Sequence, residues 1–227
     1  MINYRIDNRF HIIGAGVQSY GGMWPSTASN WWEAGGATGA VAVYQPKGAG
    51  SLAASYTDMS GSGNTAIAVI EPPWDSANGW KGNGNAYLST ALVPSGDWSL
   101  VIRFSNTGLD NAYICGQNTT GKFFSMGANR GGNRIYGLGN AISITPGVSS
   151  GVMAISATDG YLDGVDDTPT SAEGFTGAAN YPIYLLALNN GGSVALKSLG
   201  YIQAVAIYNT TLTAPKIAAV SAAMALL

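Results

Sequence analysis

The sequence is poor in charge. Only 10% of its 227 residues are Asp, Glu, Lys or Arg, against roughly 25% in an average soluble protein. The surface is therefore left to Gly, Ser, Thr and Asn, which suits a chain packed into an assembly or working outside a cell. Ten basic residues lie scattered and the net charge is −2, so no basic stripe is available to hold nucleic acid. The single cysteine, Cys115, excludes an intrachain disulfide. Within Ala112-Tyr-Ile-Cys115 it reads as a small buried hydrophobe. The single histidine, His11, is the one that a Ser-His-Asp or Cys-His site would need. No zinc-ligand set can be assembled. No apolar run is long enough to span a bilayer. Met1–Phe10 has neither an apolar h-region nor a small-residue cleavage site, so no Sec signal peptide is expected.

Glycine is abundant instead, 32 residues without a three-residue period, which excludes collagen and marks turns. Between these turns lie apolar and β-branched runs about ten residues apart, the spacing of a β-meander. They include Ala40–Tyr44, Thr65–Ile70, Ala86–Thr90, Trp98–Ser105, Ala112–Gly116 and Lys122–Ala128. Further on come Arg134–Leu138, Ala141–Thr145, Gly151–Ser156, Gly160–Leu162, Tyr181–Leu188 and Leu199–Tyr208. The most informative stretch is Tyr201–Met224. Tyr201–Tyr208 reads as a strand buried on both faces. Thr213 is placed to cap a helix with its hydroxyl, Leu212 and Ile217 can form a hydrophobic staple, and Pro215 fits the first turn. Ile217, Val220 and Met224 share one helical face.

This C-terminal pattern, strand to Ile-Tyr-Asn then Thr-Leu-Thr-Ala and an Ala-rich helix, resembles laminin-G-like (concanavalin A-like) domains. Trp98-Ser-Leu-Val-Ile-Arg-Phe104, Tyr161-Leu-Asp-Gly164 and Gly79–Leu88 resemble further parts of that family in the right order. Ser29–Gly36 resembles its opening in phage and environmental bacterial sequences. The resemblance runs from about Trp31 to the C-terminus. It implies an all-β jelly-roll sandwich of two antiparallel sheets, about a dozen strands, with one short C-terminal helix. Residues 30–227 form that domain. Residues 1–29 are too apolar for a solvated tail and too short for a domain. They read either as an arm that packs on a neighbouring subunit or as an extra edge strand of the chain's own sandwich.

The resemblance spans lectins, glycosidases and structural proteins, so function rests on residues. Glycoside cleavage needs two carboxylates flanking the bond. Only three glutamates exist, Glu33, Glu71 and Glu173, and none belongs to the Glu-x-Asp-x-Glu run of β-glucan-cleaving relatives. The expectation is therefore a non-enzyme. Asp159-Gly-Tyr-Leu-Asp163-Gly-Val-Asp166-Asp167 is the one acidic cluster. It lacks EF-hand spacing, and Asp163-Gly164 supplies the positive φ of a tight hairpin. No cofactor is expected. The resemblance leaves Ca²⁺ open, because some laminin-G-like domains bind it through loop acids.

Glycan binding is carried by Trp74, Trp80, Asn83, Asn85 and Tyr87. Aromatic rings stack on sugar faces, and amides and glycine backbone meet the hydroxyls. The competing reading places these aromatics at the ends of the core. The absent signal, apolar arm and sparse charge lead to a structural or decoration subunit of a phage virion or similar surface assembly. Such a subunit forms homo-oligomers through its arm, with weak glycan binding as an added role. The alternative is a stand-alone carbohydrate-binding or adhesion module of a bacterial cell surface.

Overall fold

The computed structural model of the chain describes residues 30–120, 122–170, 172–173, 175 and 180–227. The 1–29 segment, and with it the choice between arm and edge strand, lies outside the described residues. A 3-10 helix, Trp31–Gly36, leads to β1 (Ala40–Tyr44) and the short α1 (Leu52–Ser55). Then come β2 (Ile67–Ile70), β3 (Trp74–Asp75), β4 (Gly79–Lys81) and β5 (Tyr87–Ser89). The long strands follow: β6 (Ser99–Ser105), β7 (Cys115–Thr119), β8 (Lys122–Arg130), β9 (Asn133–Ile144) and β10 (Gly151–Ser156). Next are β11 (Asp159–Leu162), β12 (Val165–Asp166), β13 (Tyr184–Leu185), β14 (Leu188–Asn190) and β15 (Ser193–Ala195). The last elements are β16 (Tyr201–Tyr208) and α2 (Ala214–Ala225).

These strands form two eight-stranded sheets, the expected β-sandwich. The first runs β12, β11, β10, β6, β16, β4, β3, with β1 also paired to β16. The second runs β15, β14, β7, β13, β5, β2, with β8 on β7 and β9 on β8. Several strands beyond the expected dozen are two- or three-residue pairings, such as β3 with β4. Arg134–Leu138 and Ala141–Thr145 both lie within β9, but Gly139 at φ 78° turns the chain back between them. Thr145 Oγ1 thereby meets Asn133 Oδ1, and the two limbs lie side by side. One expectation is corrected by backbone geometry. Tyr181–Leu188 is not one strand: Leu186 adopts φ 64°, in the left-handed region that strands avoid. The chain turns there, so β13 meets β7 antiparallel and β14 meets it parallel.

The core between the sheets follows from period-2 alternation. Leu100, Ile102, Phe104, Val205 and Ile207 of the first sheet meet Leu88, Cys115, Phe124, Met126 and Leu138 of the second. Each large apolar side chain buried this way contributes about 1.5–3 kcal/mol. Cys115 is the buried hydrophobe expected, its thiol pushed up to about 12 by burial.

The alternate residues of the first sheet face outward and are covered. Val101, Val152, Ala154, Ala204, Ala206 and Tyr208 pack under Ile217, Val220 and Met224 of α2 and under Trp32. The small alanines let the helix lie close. Gly35, at φ 64°, passes so near α2 that a Cβ there would sit 2.6 Å from Ala219 Cβ. Thr213 is the N-cap residue, but its hydroxyl makes no cap bond. The approach to α2 is held from the sheet instead. Leu212 N–H donates to Ser99 Oγ at 2.9 Å and to Ser156 Oγ at 3.0 Å, and Ser156 Oγ donates to Leu212 O at 2.8 Å. Among the described residues, no helix is long and apolar enough to cross a membrane.

Candidate functional site: the open face of the second sheet

The second sheet presents its outer face differently. Leu88, Leu185, Cys115, Phe124 and Leu138 face the core, so their strand neighbours face outward. The register then lays out one row across five strands: Ser89, Tyr184, Gly116, Ser125, Gly137. A second row runs Asn118, Phe123, Gly139. Tyr87, two residues before Ser89, lies on the same face. Its ring and that of Tyr184 stand 5.0 Å apart at 44°, and both are half-buried. Asn118 Nδ2 donates to Asn190 Oδ1 at 2.7 Å at the exposed surface. Further along, Phe123 stacks with Tyr113 at 6.4 Å and 16°. The Arg130 guanidinium lies 5.2 Å from the Tyr113 ring and donates to Asn111 Oδ1 at 2.9 Å.

The middle of this face is closed to solvent: Gly116, Ser125 and Gly137 are buried, and Tyr113, Ile135 and Leu188 form a buried apolar cluster flanked by Phe123 and Leu196. A Cβ at Gly116 would fall 2.2 Å from Ser125 Cβ, and one at Gly137 would fall 2.2 Å from Ser125 Oγ. Ser125 Oγ itself is buried and makes no hydrogen bond. Burial, with a smaller effect from Tyr87, raises the Tyr184 phenol. Burial also raises that of Tyr113, against the pull of Arg130. Both rings are therefore neutral donors at physiological pH.

Of the five residues chosen from the sequence, the structure brings only Tyr87 to this face. Trp80 is fully buried, its Nε1 donating to Ser55 Oγ at 2.7 Å and its ring lying 5.7 Å from that of Tyr56. It offers no surface to a sugar, so its place among binding residues is corrected. Trp74 sits half-buried in β3 of the first sheet with its Nε1 donating to Pro46 O at 2.8 Å. Asn83 and Asn85 are exposed, but Asn83 Oδ1 is occupied by the N–H groups of Asn85 and Ala86 at 2.9 and 2.7 Å. That carbonyl builds a turn. Tyr184, Asn118, Phe123 and Asn190 were missed because they lie in segments far apart in sequence, and Tyr184 sat in a run read as uniformly buried.

The acidic cluster is mostly spent on structure. Arg134 grips Asp167 through Nε at 2.8 Å and Nη2 at 2.9 Å, and the Tyr136 hydroxyl donates to the same carboxylate at 2.8 Å. The bond to Asp167 holds the Arg134 guanidinium above its usual range. Asp163 and Gly164 both have positive φ, as the hairpin requires, and Asp163 Oδ1 accepts from Val152 N–H at 2.8 Å. Among the described residues, no three His, Cys, Asp or Glu side chains converge on a point that could hold a metal ion.

No protein-family model matches the chain, and no curated protein matches its sequence. Solved structures do share its fold. A Trypanosoma rangeli sialidase mutant displaying trans-sialidase activity is 16% identical with a TM-score of 0.54, over 82% of this chain and 33% of that one. Domain 4 of AbnA, a GH43 extracellular arabinanase from Geobacillus stearothermophilus, solved in complex with arabinotriose, is 17% identical with a TM-score of 0.50. That match covers 81% of this chain and 98% of the domain. The chain thus spans about a third of the sialidase it matches. These likenesses show the fold alone, a two-sheet antiparallel β-sandwich. They also overturn the expectation of a non-enzyme, since both similar structures belong to enzymes. Neither supports a virion or decoration role.

Proposed function

We propose that the chain is a carbohydrate-binding β-sandwich of the laminin-G-like kind, serving a glycoside-processing protein, and that glycan lies across the outer face of the second sheet. In this reading residues 30–227 are the binding unit and residues 1–29 attach it to a neighbour. The observation that carries the reading is the half-buried pair of Tyr87 and Tyr184 rings beside the Asn118–Asn190 amide pair at the exposed surface. A sugar ring presents apolar C–H groups on its faces and hydroxyls at its rim. Tyrosines meet the first at little entropic cost, and amides meet the second. Support also comes from the similar arabinanase domain, which was solved with arabinotriose.

The test is calorimetric titration of the full chain with arabinotriose and with a sialylated trisaccharide, beside a glycan-array screen. The reading expects at least one ligand to bind, and Tyr184→Ala to weaken it about tenfold or more while the fold is kept. Absence of any ligand, or equal affinity in the variant, would overturn it.

A further inference from the structure

The acidic stretch also borders a second concavity, away from the open face. A cleft of about 610 Å³, within the usual size of small-molecule sites, opens between the returning limb of β9 and the segment after β12. One wall is Ile142–Thr145 and the other Asp166–Thr170. Gly139, at φ 78°, turns the chain back, so residues 141–145 return beside Asn133 and Arg134 and form the first wall of the cleft.

The two adjacent carboxylates here have different fates. Asp167 is neutralised by Arg134 and further bonded by Tyr136, and the remaining Arg134 nitrogen donates to Pro146 O. Three of the guanidinium's five N–H donors are so engaged, and its charge is spent on Asp167. Asp166 is exposed and is held by Thr168, whose N–H donates to Oδ1 at 2.9 Å. The Thr168 side chain first, and its N–H second, keep this carboxyl below the usual range, so it is ionised at neutral pH. Around it stand Ser143, Thr145, Thr168 and Thr170. The Thr168 hydroxyl is bonded to the Gly160 backbone and that of Thr145 to Asn133, which leaves those of Ser143 and Thr170. An open carboxylate flanked by hydroxyls selects a ligand that brings a cationic donor together with hydroxyls of its own.

We propose that this cleft is a second carbohydrate site, specific for an amino sugar with a free amine, its ammonium on Asp166 and its hydroxyls on Ser143 and Thr170. The site is independent of the open face. A uronic or sialic acid is disfavoured, because its carboxylate would meet Asp166 with no cation to offset it.

Titration of the ¹⁵N-labelled full chain with glucosamine, N-acetylglucosamine, glucose and glucuronate, followed by amide shifts, tests this. Glucosamine should move the amides of Thr145, Asp166, Thr168 and Thr170 and weaken as salt is raised, since an exposed charge pair is screened. N-Acetylglucosamine, glucose and glucuronate should bind about tenfold more weakly or not at all. Asp166→Asn, which still offers a carbonyl to Thr168 N–H, should weaken glucosamine about tenfold. Tyr184→Ala should leave the cleft shifts unchanged, which separates this site from the open face. Equal binding of glucosamine and glucose, shifts confined to the open face, or undiminished binding by Asp166→Asn would each overturn the proposal.

Discussion

The two sheets share one core, but their outer faces are put to different uses. On the first, alternation places Val, Ala and Tyr208 outward, and α2 with Trp32 seals them. On the second, a small apolar cluster of Tyr113, Ile135 and Leu188 covers part of the face, and beside it Tyr87 and Tyr184 stay half-exposed with Asn118 and Asn190. The sealed face carries stability because its contacts exclude water. The second face pairs rings with amides, which suits contact with a polar, ring-shaped ligand. The difference is one of side-chain size and polarity at alternate positions, not of backbone.

The comparison breaks most visibly if the sealed face is damaged. Met224→Ala should cost about 2–5 kcal/mol, a fall of roughly 10 °C in Tm for a chain of this size, with glycan affinity unchanged. Thermal melts beside calorimetric titration check both halves. A variant that keeps its Tm would mean that α2 is not a structural lid.

Trp74→Ala is the next largest effect. It removes a half-buried ring and the bond to Pro46, so it should lower stability by about 1–3 kcal/mol and leave glycan affinity as it was. Lost affinity with unchanged stability would restore Trp74 as a binding residue.

The third effect is alkaline. Burial raises Tyr44, Tyr136 and Tyr208 far above the usual phenol value, and moves Tyr161 to about 12 with help from Asp159 and Asp166. A phenol whose folded pKa is raised holds its proton in the native state while the unfolded chain loses it. Its stabilisation is complete below about pH 10 and declines as pH rises through the folded values. Tm should therefore be level from pH 7 to 9 and drop steeply above 10. A flat profile to pH 11.5 would contradict the burial of these hydroxyls.

Ser125→Ala is the smallest. It deletes a buried hydroxyl with no partner, so stability should stay within about 0.5 kcal/mol or rise slightly. Chemical denaturation resolves the difference. A clear loss would show that Ser125 Oγ has a partner in solution.

Much of the sandwich was legible in the chain. Tyr201–Tyr208 and the face of Ile217, Val220 and Met224 follow from periodicity alone, and both lie where that pattern puts them. Asp163-Gly164 announced its turn through conformational preference. The failures have physical causes. Trp80 resembled a loop aromatic because its neighbours are Gly and Asn, yet a two-strand hairpin carries it into the core. The hydroxyl of Thr213 was superseded by Ser99 and Ser156, which reach the same segment from strands more than fifty residues away. The candidate site was hidden for the same reason. Alternation tells which residues of one strand share a face, but only pairing puts Tyr87 beside Tyr184 and Asn118 beside Asn190.

The most direct test is to map amide shifts of the full chain as the tightest ligand from the array is added. The account predicts changes centred on Ser89, Gly116, Asn118 and Tyr184, with the residues under α2 unmoved. Shifts centred on Trp74, Asn83 and Asn85, or on the α2 side of the first sheet, would contradict it.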